Sequence, residues 1–454
     1  MKQVITRNLS EATGNVTNEE SSSAGCHSQF TEMHPPLDTH SALVESDRCY
    51  FCFDAPCIQA CPTGINVPNF IRMISNHNPL GAAEAILQEN IMGGTCARVC
   101  PVETLCEQAC VRNTDGDKPI QIGLLQRYAV DTAMQAGETF FTRAPDSGYS
   151  VGVVGGGPSG LSCAHRLATL GHQVVVYEAR EKTGGLNEYG LAAYKMVNNF
   201  AQREVDYITA IGNIDIRHGM KLGDNIDLAE IRAAHDAVFL AVGLGACNAI
   251  GLTGENSSGV ENAVDYIRQL RQAEDLFKLP VGSQVVVIGG GMTAVDIAAQ
   301  IRLLGAHEVT IVYRRGAEHM KASVMEQEFA QTHDVRIMHW AQPMQLLVEQ
   351  QQVVGVEFKS TNMVHQSQEK FVLQADMVFK AIGQSLEFID RDHGIEFKND
   401  SGRLWVDAER RTSHSGIWAG GDCIRDSEDL TVSAVQDGKL AAQSIHRFLN
   451  GIRD

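Results

Sequence analysis

The sequence predicts an α/β protein with two Rossmann-like dinucleotide-binding domains, preceded by a small α-helical domain. Three observations carry that prediction. A strand, glycine loop, helix, strand pattern occurs twice, between Tyr149 and Glu178 and between Gln284 and Tyr313. Eight of the twelve cysteines crowd between Cys49 and Cys110, ahead of the first pattern. The form Asp-x-Val-Phe-x-Ala-x-Gly also recurs, at Asp236–Gly243 and at Asp376–Gly383.

The cysteines are spaced Cys49-x2-Cys52-x4-Cys57-x3-Cys61, then Cys96-x3-Cys100-x5-Cys106-x3-Cys110. Disulfides suit oxidising compartments and small domains without a core, and 454 residues bury ample core. Zinc sites pair CxxC knuckles or mix in histidine, and only Cys49–Cys52 is a CxxC. Two iron–sulfur clusters fit best. Thiolates ligate [4Fe–4S] clusters, and ferredoxin-like runs place Pro directly after a ligand Cys, as at Cys61-Pro62 and Cys100-Pro101. Spacing alone makes Cys96 the eighth ligand.

The length suits about three domains. A net charge of −18 argues against a nucleic-acid partner. No apolar run reaches the about 20 residues that span a bilayer. No secretory signal opens the sequence, and the unpaired cysteines point to a reducing, cytoplasmic setting. Residues 1–46 are polar and poor in large apolar side chains, which predicts a flexible tail; Cys26 and His27 there are read as incidental. Residues 47–148 carry short apolar runs at helical spacing, with Pro68 and Pro79 placed at helix starts. They form the α-helical iron–sulfur domain.

In the first glycine loop Gly155 makes the turn, Gly157 lets backbone approach a pyrophosphate, and Gly160 lets helix pack on strand. Pro158 opens the helix, whose amides face the phosphates. Glu178 ends the second strand, where its carboxylate accepts from ribose hydroxyls. In the second loop the same places are held by Gly289, Gly291 and Ala294, with Met292 and Thr293 between. Arg314 and Arg315 stand where the first pattern has its acid. Arginine accommodates a 2′-phosphate there, which favours NADP over NAD.

Paired fingerprints with Ala-x-Gly crossovers and a late Gly420-Gly421-Asp422 resemble the two-dinucleotide-binding-domain flavoproteins. That resemblance implies FAD on the first fingerprint and NAD(P)H on the second. It also implies a split FAD domain, 149–255 and 376–454, around an NAD(P) domain, 256–375. The implied flavin set adds Gly185, Leu186, Gly243, Gly421, Asp422, Thr431 and Val432. The implied NAD(P) set adds Gly383. The last helix, beginning near Thr431, would aim its positive end at the isoalloxazine.

The cysteine domain narrows the likeness to the N-terminal part of dihydropyrimidine dehydrogenase and the small subunit of glutamate synthase. The dehydrogenase pattern implies one cluster on Cys49, Cys52, Cys57 and Cys110. It implies a second on Cys61, Cys100, Cys106 and a glutamine, here Gln126 in Pro119–Gln126, leaving Cys96 spare. Thiolate softness is the argument for Cys96 instead. Gly184–Lys195 departs from the Gly-Ile-Pro-x-Phe of many glutamate synthase small subunits, and Met292 stands where many relatives carry Asp or Asn.

The expected activity is NAD(P)H oxidation, with electrons passing through FAD and two [4Fe–4S] clusters to a partner that reduces uracil or thymine. No catalytic side chain is expected beyond the cofactors. The sequence ends without an FMN barrel, so the resemblance implies a separate FMN- and iron–sulfur-containing subunit and a hetero-oligomer. The alternative is a glutamate synthase small subunit or a similar electron feeder. An assembly protein with purely structural cofactors is a third class, marked by a flavin that NAD(P)H does not bleach.

Overall fold

The computed structural model describes residues 30–361, 369–387 and 396–452. The first unit is helical: α1 (Thr39–Asp47), α2 (Val67–Ser75), α3 (Pro79–Glu89), α4 (Gly93–Val99) and α5 (Ile122–Ala136). Prolines sit in the first turns of α2 and α3, where a missing N–H costs nothing. Asn66 and Asn78 cap those helices through their side chains. Phe70, Ile71, Ile74, Ile86 and Leu125 form the core, and Cys49, Cys57, Cys61, Cys106 and Cys110 pack against it.

Residues 30–46 differ from the flexible tail expected of them. Asp38 caps α1 by accepting from the Ser41 amide at 2.6 Å. Met33 N–H donates to the Tyr194 carbonyl at 3.0 Å, and Glu32 pairs with Arg127 at 2.6 Å. Four apolar residues of the segment, Phe30, Met33, Leu37 and Ala42, are packed, while Val44 is exposed. Composition undercounted it because a strap needs only a few well-placed anchors. Residues 1–29, with Cys26 and His27, lie outside the described residues.

The second unit is a five-stranded parallel sheet in the order β13-β4-β1-β2-β3. Its strands are β1 (Ser150–Val154), β2 (Gln173–Glu178), β3 (Ile214–His218), β4 (Ala237–Leu240) and β13 (Ile417–Ala419). Helix α6 (Pro158–Thr169) covers one face, together with the last helix, α11 (Thr431–Leu449). Helix α7 (Phe200–Thr209) lies between this unit and the first. The third unit is a second parallel sheet, β5-β12-β6-β7-β8. It comprises β5 (Val260–Asn262), β6 (Gln284–Gly289), β7 (Glu308–Val312), β8 (Val335–Met338) and β12 (Met377–Ala381). Helices α8 (Ala263–Gln272), α9 (Met292–Leu303) and α10 (Val324–Thr332) flank it. A three-stranded antiparallel sheet, β9 (Ala341–Glu349), β10 (Gln352–Ser360) and β11 (Lys370–Gln374), is inserted before β12.

The repeated Asp-x-Val-Phe-x-Ala-x-Gly now has a physical account. In each sheet it forms the strand beside the fingerprint strand, β4 against β1 and β12 against β6. Asp236 accepts from Ser150 N–H at 2.9 Å, and Asp376 accepts from Gln284 and Ser283 N–H, both at 2.9 Å. The Ala241 and Ala381 carbonyls lie where a Cβ on Gly155 (φ +101°) or Gly289 (φ +150°) would sit. Each motif thus holds the start of its fingerprint strand and presses on the first glycine, which no other residue could replace.

Between the sheets the chain crosses twice, and the crossings pair with each other: Ala246–Cys247 runs antiparallel to Gln384–Ser385. The return therefore falls after β12, later than residue 376. Asp376–Gly383 looks the same as its counterpart in sequence, so its membership is decided by pairing with β6 and β5.

Candidate cofactor sites

A groove of about 600 Å³ runs along the carboxyl ends of β1, β2 and β4, where open α/β sheets bind ligands. Gly155, Gly157, Pro158, Glu178, Gly185, Leu186, Gly243, Gly421, Asp422 and Thr431 all line it. Gly160 and Val432 do not. Gly160 instead serves helix packing, since a Cβ there would overlap the Gly155 carbonyl oxygen. Val432 is buried on α11.

Three features of the groove fit a bound pyrophosphate and flavin. Gly157 faces open space, with only the Gly185 Cα, 3.8 Å away, near a Cβ built there. The buried Ser159 Oγ has no hydrogen-bond partner among the described residues. Neither α6 nor α11 has a side-chain cap, so their first amides face the groove unpaired. Glu178 is fixed at the opposite wall: Oε2 accepts from Gly156 N–H at 2.8 Å and Oε1 from Arg180 N–H at 2.9 Å. Burial, with Asp429 nearby, pushes the Asp422 carboxyl up to about 6. Asn187 reaches Thr431, whose Oγ1 donates to Asn187 Oδ1 at 3.0 Å. Arg268 and Glu387 close the groove from the far side. Sequence reasoning missed Ser159, Asn187 and Arg268; Ser159 alone had a signal, its place inside Gly-Gly-Gly-Pro-Ser-Gly.

The second fingerprint is built alike. Gly291 has open space around it, Ala294 is buried in the core, and α9 begins without a side-chain cap. Thr293 stands in the first turn of α9. Arg314 and Arg315 are exposed just past β7, and their carbonyls accept from Thr361 Oγ1 and Trp340 N–H. Gly383 lies on the return crossing at φ +95°.

The cysteines form two nests. Cys49, Cys52, Cys57 and Cys110 line one cavity, rimmed by Tyr50 and Arg112. Burial pushes the Cys57 thiol up to about 12, with Cys49 and Cys110 adding to it. In the other nest the Cys100 thiol is pushed well up, by its hydrogen bond to Cys96, by burial, and by Cys106 and Cys61. Thiols crowded this way, with Cys57 and Cys100 pushed up by their neighbours, suit a cationic iron–sulfur core that favours the thiolate form. Among the described residues no three or more His, Cys, Asp or Glu could hold one metal ion. A single zinc draws its thiolates to about 2.3 Å from one point, whereas a cluster with one thiolate per iron spreads them. Of the two candidates for the eighth ligand, Cys96 is hydrogen-bonded to Cys100 in the second nest, and Gln126 reaches the first turn of α4. Cys96 is on α4, and Gln126, buried on α5, donates from Nε2 to the Gly93 carbonyl at 2.7 Å.

No helix among the described residues is long and apolar enough to cross a membrane. Residues 26–138 match the family model for dihydropyrimidine dehydrogenase domain II, 4Fe-4S cluster. Residues 149–438 match the model for pyridine nucleotide-disulphide oxidoreductase. The chain is 32% identical to the NAD-dependent dihydropyrimidine dehydrogenase subunit PreT of Salmonella typhimurium, over 92% of this chain and 97% of that one. It is 30% identical to the glutamate synthase [NADPH] small chain of Escherichia coli, over 93% and 94%. Among solved structures, T. acidophilum thioredoxin reductase matches with a TM-score of 0.53 at 20% identity, over 67% of this chain and 99% of that one. Mycobacterium tuberculosis FprA in complex with NADPH matches with a TM-score of 0.55 at 17% identity, over 68% and 85%. Those two likenesses speak to the fold. The chain therefore belongs to the pyridine nucleotide-disulphide oxidoreductases that carry a dihydropyrimidine dehydrogenase-type 4Fe-4S module, the family of PreT and the glutamate synthase small chains.

Proposed function

We propose that this NAD(P)H-dependent oxidoreductase is the electron-input subunit of a dihydropyrimidine dehydrogenase. Its partner would be an FMN- and iron–sulfur-containing subunit that reduces uracil or thymine to the 5,6-dihydropyrimidine. The observation that carries the reading is one groove lined by ten of the twelve residues assigned to flavin, set against a module with two cysteine nests. FAD held there would supply the conversion of a two-electron hydride into single electrons, the form in which iron–sulfur clusters take them.

The chain's own part is placement. Gly157 leaves room for the pyrophosphate and Ser159 Oγ supplies a free donor to it. Glu178 meets the ribose, and Asp422 with the open start of α11 meets the flavin end. On the second fingerprint Gly291 and the uncapped α9 receive the nucleotide phosphates, and Arg314 and Arg315 a 2′-phosphate. Cys49, Cys52, Cys57 and Cys110 would hold one cluster; Cys61, Cys100, Cys106 and Gln126 would hold the other.

A second reading, the small chain of a glutamate synthase, is favoured by a match of nearly equal coverage. One anaerobic experiment separates the two. The loaded protein is mixed with an FMN-containing dehydrogenase subunit, and NADPH or NADH oxidation is followed on adding uracil. Pyrimidine-dependent turnover that needs both chains supports the first reading. Flavin bleaching without pyrimidine turnover, and turnover with a large synthase subunit, glutamine and 2-oxoglutarate, supports the second.

A further inference from the structure

The flavin groove and the second cysteine nest meet at two residues. Asn187, in the groove wall, donates from Nδ2 to Met92 Sδ at 3.7 Å. The Met92 carbonyl accepts from Cys96 N–H at 2.9 Å. The next carbonyl, Gly93, accepts from Gln126 Nε2 at 2.7 Å. So both candidates for the eighth ligand are tied to Met92–Gly93, Cys96 through its backbone amide and Gln126 through its side chain. The dipeptide is itself held. Asn90 Oδ1 accepts from Met92 N–H at 3.0 Å and the Asn90 carbonyl from Gly93 N–H at 2.9 Å. The Met92 side chain is 1% exposed and wedged against Leu161 of α6 and Val435 of α11. Gly93 has no room for a side chain, since a Cβ would come within 2.6 Å of Ile86.

We propose that Met92–Gly93 is the bridge between the flavin groove and the second nest, with Met92 as a positioning residue for electron passage. The inference rests on the electron-input reading. A hydride brings two electrons; the two clusters take one each, and the proton goes to solvent. The bridge makes the second nest the entry point and leaves the first nest, with half-exposed Tyr50 at its rim, as the far one.

The test uses the full chain loaded with FAD and clusters, comparing Met92→Leu, Met92→Val and Met92→Ala. Leucine keeps the volume and costs little; valine serves if alanine does not fold. Anaerobic stopped-flow reads flavin bleaching by NADPH, freeze-quench EPR reads cluster reduction, and EPR-monitored titration reads the cluster potentials. Expected is unchanged bleaching and unchanged potentials in all three. Cluster reduction should slow by about tenfold or more in the alanine and valine variants, the order that ångström-scale misplacement costs, and be largely rescued in leucine. Cluster reduction at the wild-type rate in a fully loaded alanine or valine variant overturns the bridge. So does bleaching that slows in parallel, which would place Met92 in flavin holding. Failure of NADPH or NADH to reduce the clusters of the unmutated protein sinks the electron-input reading instead.

Discussion

Replacing Lys195 by methionine tests how the two nucleotide-binding units are joined. Lys195 Nζ lies 2.8 Å from Asp296 Oδ1 and 2.7 Å from Glu326 Oε1. Tyr194 O–H donates to Asp296 Oδ1 at 3.0 Å. Tyr194 and Lys195 come from the FAD-side unit, while Asp296 and Glu326 come from α9 and α10 of the other; all four are buried. Burial pulls the Lys195 ammonium down, but Asp296 and Glu326 outweigh it and the net shift is upward. Burial pushes the Asp296 carboxyl up, Lys195 opposes, and Glu326 adds to the rise. Methionine keeps the length and deletes the charge, so two carboxylates are left facing each other away from water. Breaking a buried pair from one side costs about 3–5 kcal/mol. The sign of its pH dependence follows. In the variant the folded Asp296 carboxyl, freed of the lysine that opposes its rise, holds its proton more tightly than the unfolded one, so the folded state binds more protons and stability falls as pH rises. The deficit against wild type is expected to be small near about pH 5 and full near about pH 8. Denaturant unfolding at both pH values measures it, and hydrogen exchange at α9 and α10 locates it. Equal stability at the higher pH, or a deficit that grows on acidification, refutes the reasoning.

Four further outcomes are expected. Gly157→Val leaves the fold intact, because φ is −77° and only Gly185 lies near, but its side chain fills the pyrophosphate space. The purified protein should melt like flavin-free wild type and carry no FAD; full flavin occupancy by absorbance overturns the assignment. Gly160→Ala, one turn along, should destabilise the fold itself by about 1–3 kcal/mol in denaturant melts, since its Cβ overlaps the Gly155 carbonyl. Changing Arg314 and Arg315 together to Gln should raise KM for NADPH about tenfold and leave NADH unmoved, the loss of a charge-assisted phosphate contact; equal effects remove the phosphate argument. Iron analysis of Gln126→Ala beside Cys96→Ala settles the eighth ligand: the variant that loses about half its iron carries it.

What could be read from the sequence was what lies close along the chain. The two fingerprints are local patterns, and the groove they open is where the motif puts it. The cysteine pairing was only half local. Cys49, Cys52 and Cys57 are neighbours in sequence, but Cys110 joins them across α2, α3 and α4, and spacing alone offered Cys96 as readily as Gln126. What stayed hidden depends on contacts between units. Lys195 sits in a run of ordinary residues, and its two carboxylate partners are about a hundred and more positions away. Asn187 and Met92 carry no motif and become meaningful only when the flavin wall meets α4. Residues 30–46 were misread for the same reason, because Phe30 and Met33 find their partners on α9 and at Tyr194. The split matters for how the protein works. Each cofactor site is built mainly from local sequence, so a homologue can be recognised from its motifs. Electrons must pass between the sites, and the side chains at those junctions are set by packing alone. Function lost through a junction residue such as Met92 would therefore leave every motif intact, and a motif-based reading would still judge such a chain competent.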